Sequence, residues 1–91
     1  MPNIEIHGLS ELNSGRMARE VAKCLLGASF ADEAVITSCN DAVMNLRGEE
    51  QPYLRICCSI DTGAEQVIKL LKPLNIDVEV LRLDQFVPKS S

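Results

Sequence analysis

Pro2 is the residue of this chain whose type and position most directly suggest chemistry. It follows Met1 directly, and a small second residue permits removal of the initiator methionine. The proline would then lead the chain, with its ring nitrogen a free secondary amine. An α-amino group has a pKa of about 7.7–8.0. Proline's is intrinsically higher, and apolar surroundings or nearby cations favour the neutral form. A neutral amine at the start of a buried strand can act as general base, or as nucleophile toward a carbonyl. The plainer alternative is that Pro2 simply begins a strand, where its missing N–H costs nothing.

The other reactive side chains form no recognisable set. The single histidine, His7, sits two residues from Glu5, so on a strand the two share a face and can pair. A lone histidine on a polar strand face reads as a surface or interface residue. The cysteines are Cys24, Cys39, Cys57 and Cys58. None forms a C-x-x-C pair and only one histidine is present, so the spacing contains no zinc box, and neither metal nor cofactor is expected. Cys57 and Cys58 are adjacent, so on a strand they point to opposite faces and cannot chelate together. The cysteines read as small core fillers. Ser-His-Asp sets and Gly-rich phosphate loops are missing from the sequence, and Arg47-Gly48-Glu49-Glu50 reads as a solvated turn.

Composition narrows the function classes. Nine Lys plus Arg against thirteen Asp plus Glu give a net charge of −4, and aromatics are only 3%. Nucleic acid requires cations against phosphates and aromatic platforms for bases, so no nucleic-acid partner is expected. No apolar run approaches the roughly 20 residues that span a bilayer. Met1 to Glu5 lacks the basic and apolar regions of a signal peptide. The expectation is a cytoplasmic protein with reduced thiols and no membrane partner. Hydrophobic residues make up 46% of the 91, enough for one core and one domain spanning 1–91. A chain this short gains stability by hiding further apolar area through self-association.

These residues must be positioned by short elements. Ile4 and Ile6 alternate with Glu5 and His7, a half-buried strand closed by Gly8. Ser10 to Gly15 reads as a polar turn carrying helix caps. Met17, Ala18, Val21, Ala22, Leu25 and Ala28 follow the spacing of an amphipathic helix that ends near Gly27. Ala34 to Cys39 reads as a second strand, Asn40-Asp41 as a turn, and Ala42 to Leu46 as a continuation of the strand. After the loop Gly48 to Pro52, Tyr53 to Ile60 is a strand with Leu54, Ile56, Cys58 and Ile60 on one face. A second helix carries Ala64, Val67, Ile68, Leu71 and Leu74. The last strand runs from Ile76 with Val78 and Val80 inward, and Pro88 to Ser91 reads as a flexible tail. The order β-α-β-β-α-β predicts an α+β two-layer sandwich with both helices on one sheet face. Leu81 and Leu83 add apolar groups to the other face, which reads as a subunit interface.

Met1-Pro2-Asn3-Ile4-Glu5-Ile6-His7-Gly8-Leu9 resembles the opening of oxalocrotonate tautomerase-type proteins, with Pro at the second position and an Ile-His-x-Leu run. The middle is similar to macrophage migration inhibitory factor, through Ala34-Val35, Val43-Met44, Gly48, Gln51-Pro52 and Ser59-Ile60 before a glycine. The resemblance spans nearly the whole chain in element order and implies the tautomerase superfamily. It implies two β-α-β units per subunit, a homotrimer, and a cofactor-independent isomerase in which the amino-terminal proline moves protons on a small keto or enol acid. Pro2 carries over as the catalytic base, and Ile60 and Ser59 as substrate-binding positions beside it.

Two departures bear on activity. The family cation before the second strand is missing, with Ala28, Ser29 and Phe30 leading to Asp32 and Glu33. The Tyr and Asn of the late strand are replaced around Leu81 and Leu83. A carboxylate substrate needs a cation, and Arg55 on the third strand is the first candidate, ahead of Arg82 and Arg47. The alternatives are a tautomerase fold that has lost its chemistry and a non-catalytic ferredoxin-like module for ligand binding or oligomerisation. Strand pairing separates the last from the others. Each tautomerase β-α-β unit makes a parallel neighbouring pair, whereas the ferredoxin-like sheet is expected to be antiparallel throughout.

Overall fold

The computed structural model describes residues 2–58 and 64–82, apart from the side chain of Arg82. The elements are β1 (Asn3–His7), α1 (Glu11–Leu25), β2 (Val35–Ser38), β3 (Tyr53–Cys58), α2 (Ala64–Leu71) and β4 (Asp77–Arg82). Short 3-10 turns precede β2 (Ala31–Glu33) and follow α2 (Lys72–Leu74). The sheet order is β2-β1-β3-β4. β1 runs parallel to β2, β3 runs parallel to β4, and β1 and β3 meet antiparallel in the middle. Two parallel β-α-β units therefore join back to back, which overturns the ferredoxin-like alternative.

Register assigns the two faces. Ile4 sits opposite Ile36 and Ile56, and Ile6 opposite Ser38 and Leu54, while Leu54 and Ile56 face Val78 and Val80. Ile4, Ile6, Leu54, Ile56 and Cys58 are buried with Val21 and Leu25 of α1 and with Ala64, Val67 and Leu71 of α2. Both helices thus cover one face, as the alternation and the helical spacing require. The other face carries Asn3, Glu5 and His7, flanked by Thr37 on one side and Tyr53, Arg55 and Cys57 on the other. Cys57 and Cys58 point to opposite faces, and Cys58 fills the core as expected.

Two boundaries differ from the sequence reading. Glu11 to Gly15 is the first turn of α1 and not a loop. Ser10 is the N-cap, its side chain accepting from the Asn13 N–H, and Glu11 and Lys23 complement the helix dipole at its two ends. The buried Ser14 hydroxyl bonds the Ser38 hydroxyl on β2. Cap and tether outweigh the weak helix propensity of Asn13, Ser14 and Gly15.

Ala42 to Leu46 is not a strand and makes only a bridge between Met44 and Glu50. Asn45 decides this, because its Oδ1 accepts from the backbone N–H of Arg47 at 2.9 Å and of Glu49 at 3.0 Å. An asparagine folded onto its own backbone makes a turn where a strand would need an extended chain. β3 is described as far as Cys58, so Ser59 and Ile60 lie outside the described residues, as do Leu83 and the tail from Pro88.

Gly8, at the exit of β1, has φ +83°. A Cβ there would lie 2.9 Å from the Cα of Pro52, so both conformation and space demand glycine. That tight crossing brings the loop after β2 against the end of β1.

Candidate functional site

Pro2 stands at the head of β1 with its side chain fully buried. Its carbonyl accepts from Val35 N–H at 3.1 Å, which extends the parallel ladder by one residue. Continuing the two registers sets Pro2 beside Ala34 and opposite Cys58, on the helix-covered side. Ala34 also helps line an apolar recess of about 150 Å³ together with Ala22, Leu25, Leu26, Ala31 and Ile36. Among the described residues, no cation lines this recess. A larger recess, about 450 Å³, lies at the other end of the sheet around Ile68, Asn75 and Asp77, away from Pro2.

Arg55 does not join Pro2. It projects from the uncovered face, where Nε lies 3.4 Å from Glu79 Oε2 and Nη1 lies 3.8 Å from Glu5 Oε1. Its Nη2 donates to the Tyr53 hydroxyl at 3.1 Å, and the guanidinium lies 5.6 Å from the Tyr53 ring centre. The guanidinium therefore neutralises carboxylates of its own chain.

The uncovered face holds a second constellation, centred on His7. Its Nδ1 lies 2.7 Å from Asp41 Oδ2, and its Nε2 lies 2.8 Å from Glu5 Oε1. Tyr53 stacks on the imidazole with ring centres 4.8 Å apart and planes within 9°. Asp41 also accepts from the Gly8 N–H at 2.9 Å, so the Gly8 crossing positions it. The Cys57 thiol donates to the second oxygen of Glu5 at 3.5 Å. Cys39, one residue past β2, follows the register to a place beside His7, and its N–H bonds the Ile6 carbonyl at 2.9 Å.

Ionised carboxylates only accept, so a ring bonded to two of them carries both protons. Burial pushes the His7 pKa down, but the hydrogen bonds to Asp41 and Glu5 outweigh it and the net shift is upward. The bond to His7 lowers Glu5, and together with the Gly8 N–H it lowers Asp41. Burial, and then the Glu5 charge, raise the thiols of Cys39 and Cys57. Both thiols are thus held protonated and unsuited to nucleophilic attack.

A pH dependence follows. A histidine raised on folding contributes fully below its ordinary value of 6.5, and the contribution is lost as pH climbs through the folded value. The lowered carboxylates contribute above 4.5 for Glu5 and 3.8 for Asp41, and lose that contribution as pH falls through their folded values. Denaturation midpoints, taken with a chelator present, should peak between about pH 4.5 and 6.5 and decline above. The part of the decline that begins above about pH 6.5 should vanish in His7→Gln, leaving that of the raised thiols above about pH 9. An unchanged slope in that variant would remove the histidine from the account.

The pairing of Glu5 with His7 was legible from their spacing. Asp41 and Cys39 were not, because they lie 34 and 32 positions from His7 and reach it only through the parallel β1–β2 register and the Gly8 crossing.

No family model and no curated protein matches the chain. Among solved structures, the macrophage migration inhibitory factor of Toxoplasma gondii is similar at 8% identity, over 99% of this chain and 96% of that one, with a TM-score of 0.50. A member of the cis-3-chloroacrylic acid dehalogenase family is 10% identical over 98% of this chain and 81% of that one, with a TM-score of 0.45. The first likeness establishes a tautomerase-like fold, with its four-stranded mixed sheet and two helices. At such identity the chemistry must be argued from this chain's own residues.

Proposed function

We propose that this tautomerase-like chain is a cofactor-independent keto–enol isomerase, in which Pro2 becomes the amino terminus on loss of Met1. The observation that carries this reading is the burial of Pro2 at the head of β1, where desolvation favours the neutral amine. The amine takes the hydroxyl proton of a small enol acid and returns a proton to carbon, so the atoms balance without a cofactor. A small apolar recess opens at Ala34, the register neighbour of Pro2.

The substrate carboxylate needs neutralising, and Arg55 already meets Glu5 and Glu79 on the opposite face. That role would fall to a cation from a neighbouring copy, and Ser59 and Ile60 enter the reading only as the substrate-binding positions that the family resemblance implies. Homotrimeric assembly belongs to the same reading, as does a cytoplasmic setting, which suits four free thiols. Sedimentation at micromolar concentration should return three times the mass of one chain. A monomer would eliminate a site built between copies. The engagement of Arg55 favours one other reading, a tautomerase-like subunit that assembles without catalysing.

Two measurements on the same preparation separate these readings. Intact mass reports whether Met1 is removed, and ketonisation of an aryl-enolpyruvate is compared between the protein and Pro2→Ala. Retained Met1, or equal rates, would eliminate the catalytic reading.

A further inference from the structure

The donor atoms on the uncovered sheet face suggest a function separate from Pro2. One atom each from Glu5, His7 and Cys39 lies within 4.8 Å of the other two. Zinc ligands sit about 2.0–2.3 Å from the ion, so donors around one ion are roughly 3–4 Å apart. Rotation of the half-buried Cys39 side chain and a small opening of the Glu5–His7 contact would close the difference. We propose that Glu5, His7 and Cys39 bind one divalent transition-metal ion of the zinc class, with Asp41 holding the histidine in place.

Asp41 supplies the second argument. It occupies Nδ1 at 2.7 Å, which directs Nε2 toward Glu5 and the ion. A carboxylate behind a ligating imidazole fixes its tautomer and raises its basicity, the usual outer partner of a metal-bound histidine. Asp41 is itself fixed by the Gly8 N–H at 2.9 Å. The donor set selects the metal, because sulfur, nitrogen and a single carboxylate together suit zinc and its neighbours better than magnesium or calcium.

Electrostatics agrees. Glu5 and Asp41 both contact His7, while the Arg55 guanidinium lies 3.8 Å from Glu5 and pairs with Glu79. A divalent ion would take the place of the proton between Nε2 and Glu5 and stabilise the Cys39 thiolate, and the displaced protons would leave to solvent. Three protein ligands leave a fourth position open, as in zinc sites that bind water or an exogenous ligand. Cys57 bonds the other oxygen of Glu5 and lies outside the set of mutually close donors.

The test uses the full chain freed of metal by a chelator, then titrated with Co²⁺ by absorbance and with Zn²⁺ against a chromophoric competitor. One ion per chain is expected, with a thiolate-to-cobalt charge-transfer band in the near ultraviolet. Cys39→Ser, a near-isosteric change at a half-buried position, should abolish the band. Asp41→Asn should keep it while weakening zinc about 10–100-fold, and Cys57→Ser should leave both unchanged. Circular dichroism confirms that each variant is folded. No zinc uptake at micromolar concentration, or a band that survives Cys39→Ser, would overturn the proposal. None of these readouts depends on Pro2 or Met1, so they stand whether or not the chain is an isomerase.

Discussion

Pro2→Ala is expected to lower ketonisation of an aryl-enolpyruvate by about 10²- to 10⁴-fold, the usual contribution of a positioned acid–base group. The variant leaves a small second residue, so under the proposed reading Met1 would still be lost and an amine would still begin the chain. It is a primary amine on a residue without the ring, and the buried ring holds the nitrogen at the head of β1. Loss of that ring frees rotation about the terminal N–Cα bond and lets the terminus move, so the effect should appear mainly in kcat. The wild-type rate should rise with pH through the amine's pKa, because only the neutral form can take a proton. A chain that keeps one residue before Pro2 has an amide at that nitrogen, and its rate should fall to background. Undiminished activity in that form would assign the chemistry to some other group.

Ile56→Ala is expected to cost about 2–5 kcal/mol of stability, the largest structural effect predicted for this chain. Ile56 has no exposed surface and lies between Ile4 on β1 and Val80 on β4. It stands at the junction of the two β-α-β halves, so neither half can close over the cavity. Small domains have about 5–15 kcal/mol in total, and 91 residues place this one toward the lower part of that range. The denaturant midpoint should fall sharply at an unchanged slope. Leu46→Ala, at a fully exposed position, should stay within about 0.5 kcal/mol. Protein concentration must be matched, because self-association adds to apparent stability. A loss below about 1 kcal/mol at Ile56 would mean that the core relaxes around the missing atoms.

The elements were readable because their signals are local. Alternation of Ile4 and Ile6 against Glu5 and His7, and of Leu54, Ile56 and Cys58 against Tyr53, Arg55 and Cys57, assigned strands and faces from a few neighbouring residues. The α2 stripe of Ala64, Val67 and Leu71 was equally plain. Misreadings arose where a side chain acted on the backbone. Ser10 recruited five further residues into α1, and Asn45 folded a segment whose apolar content suggested a strand.

The candidate sites divide along the same line. Pro2 was visible because its interest lies in its position in the chain, and the structure adds its burial and the apolar recess near it. Arg55 was singled out by its charge, yet its partners are Glu5 and Glu79, placed beside it by the pairing of β3 with β1 and β4. The Glu5–His7–Cys39 set with Asp41 behind it has no spacing signature.

By itself, then, the sequence determined the order and type of the elements, the residues of the core, and the prominence of Pro2. Each of these follows from periodicity or position within a few residues. Tertiary structure decided that each β-α-β unit pairs in parallel, as the family resemblance implied and no local pattern required, and that the halves meet through β1 and β3. Through that register it brought Cys39 and Asp41 to His7. Strand pairing is a competition among distant segments, and no local pattern records its outcome.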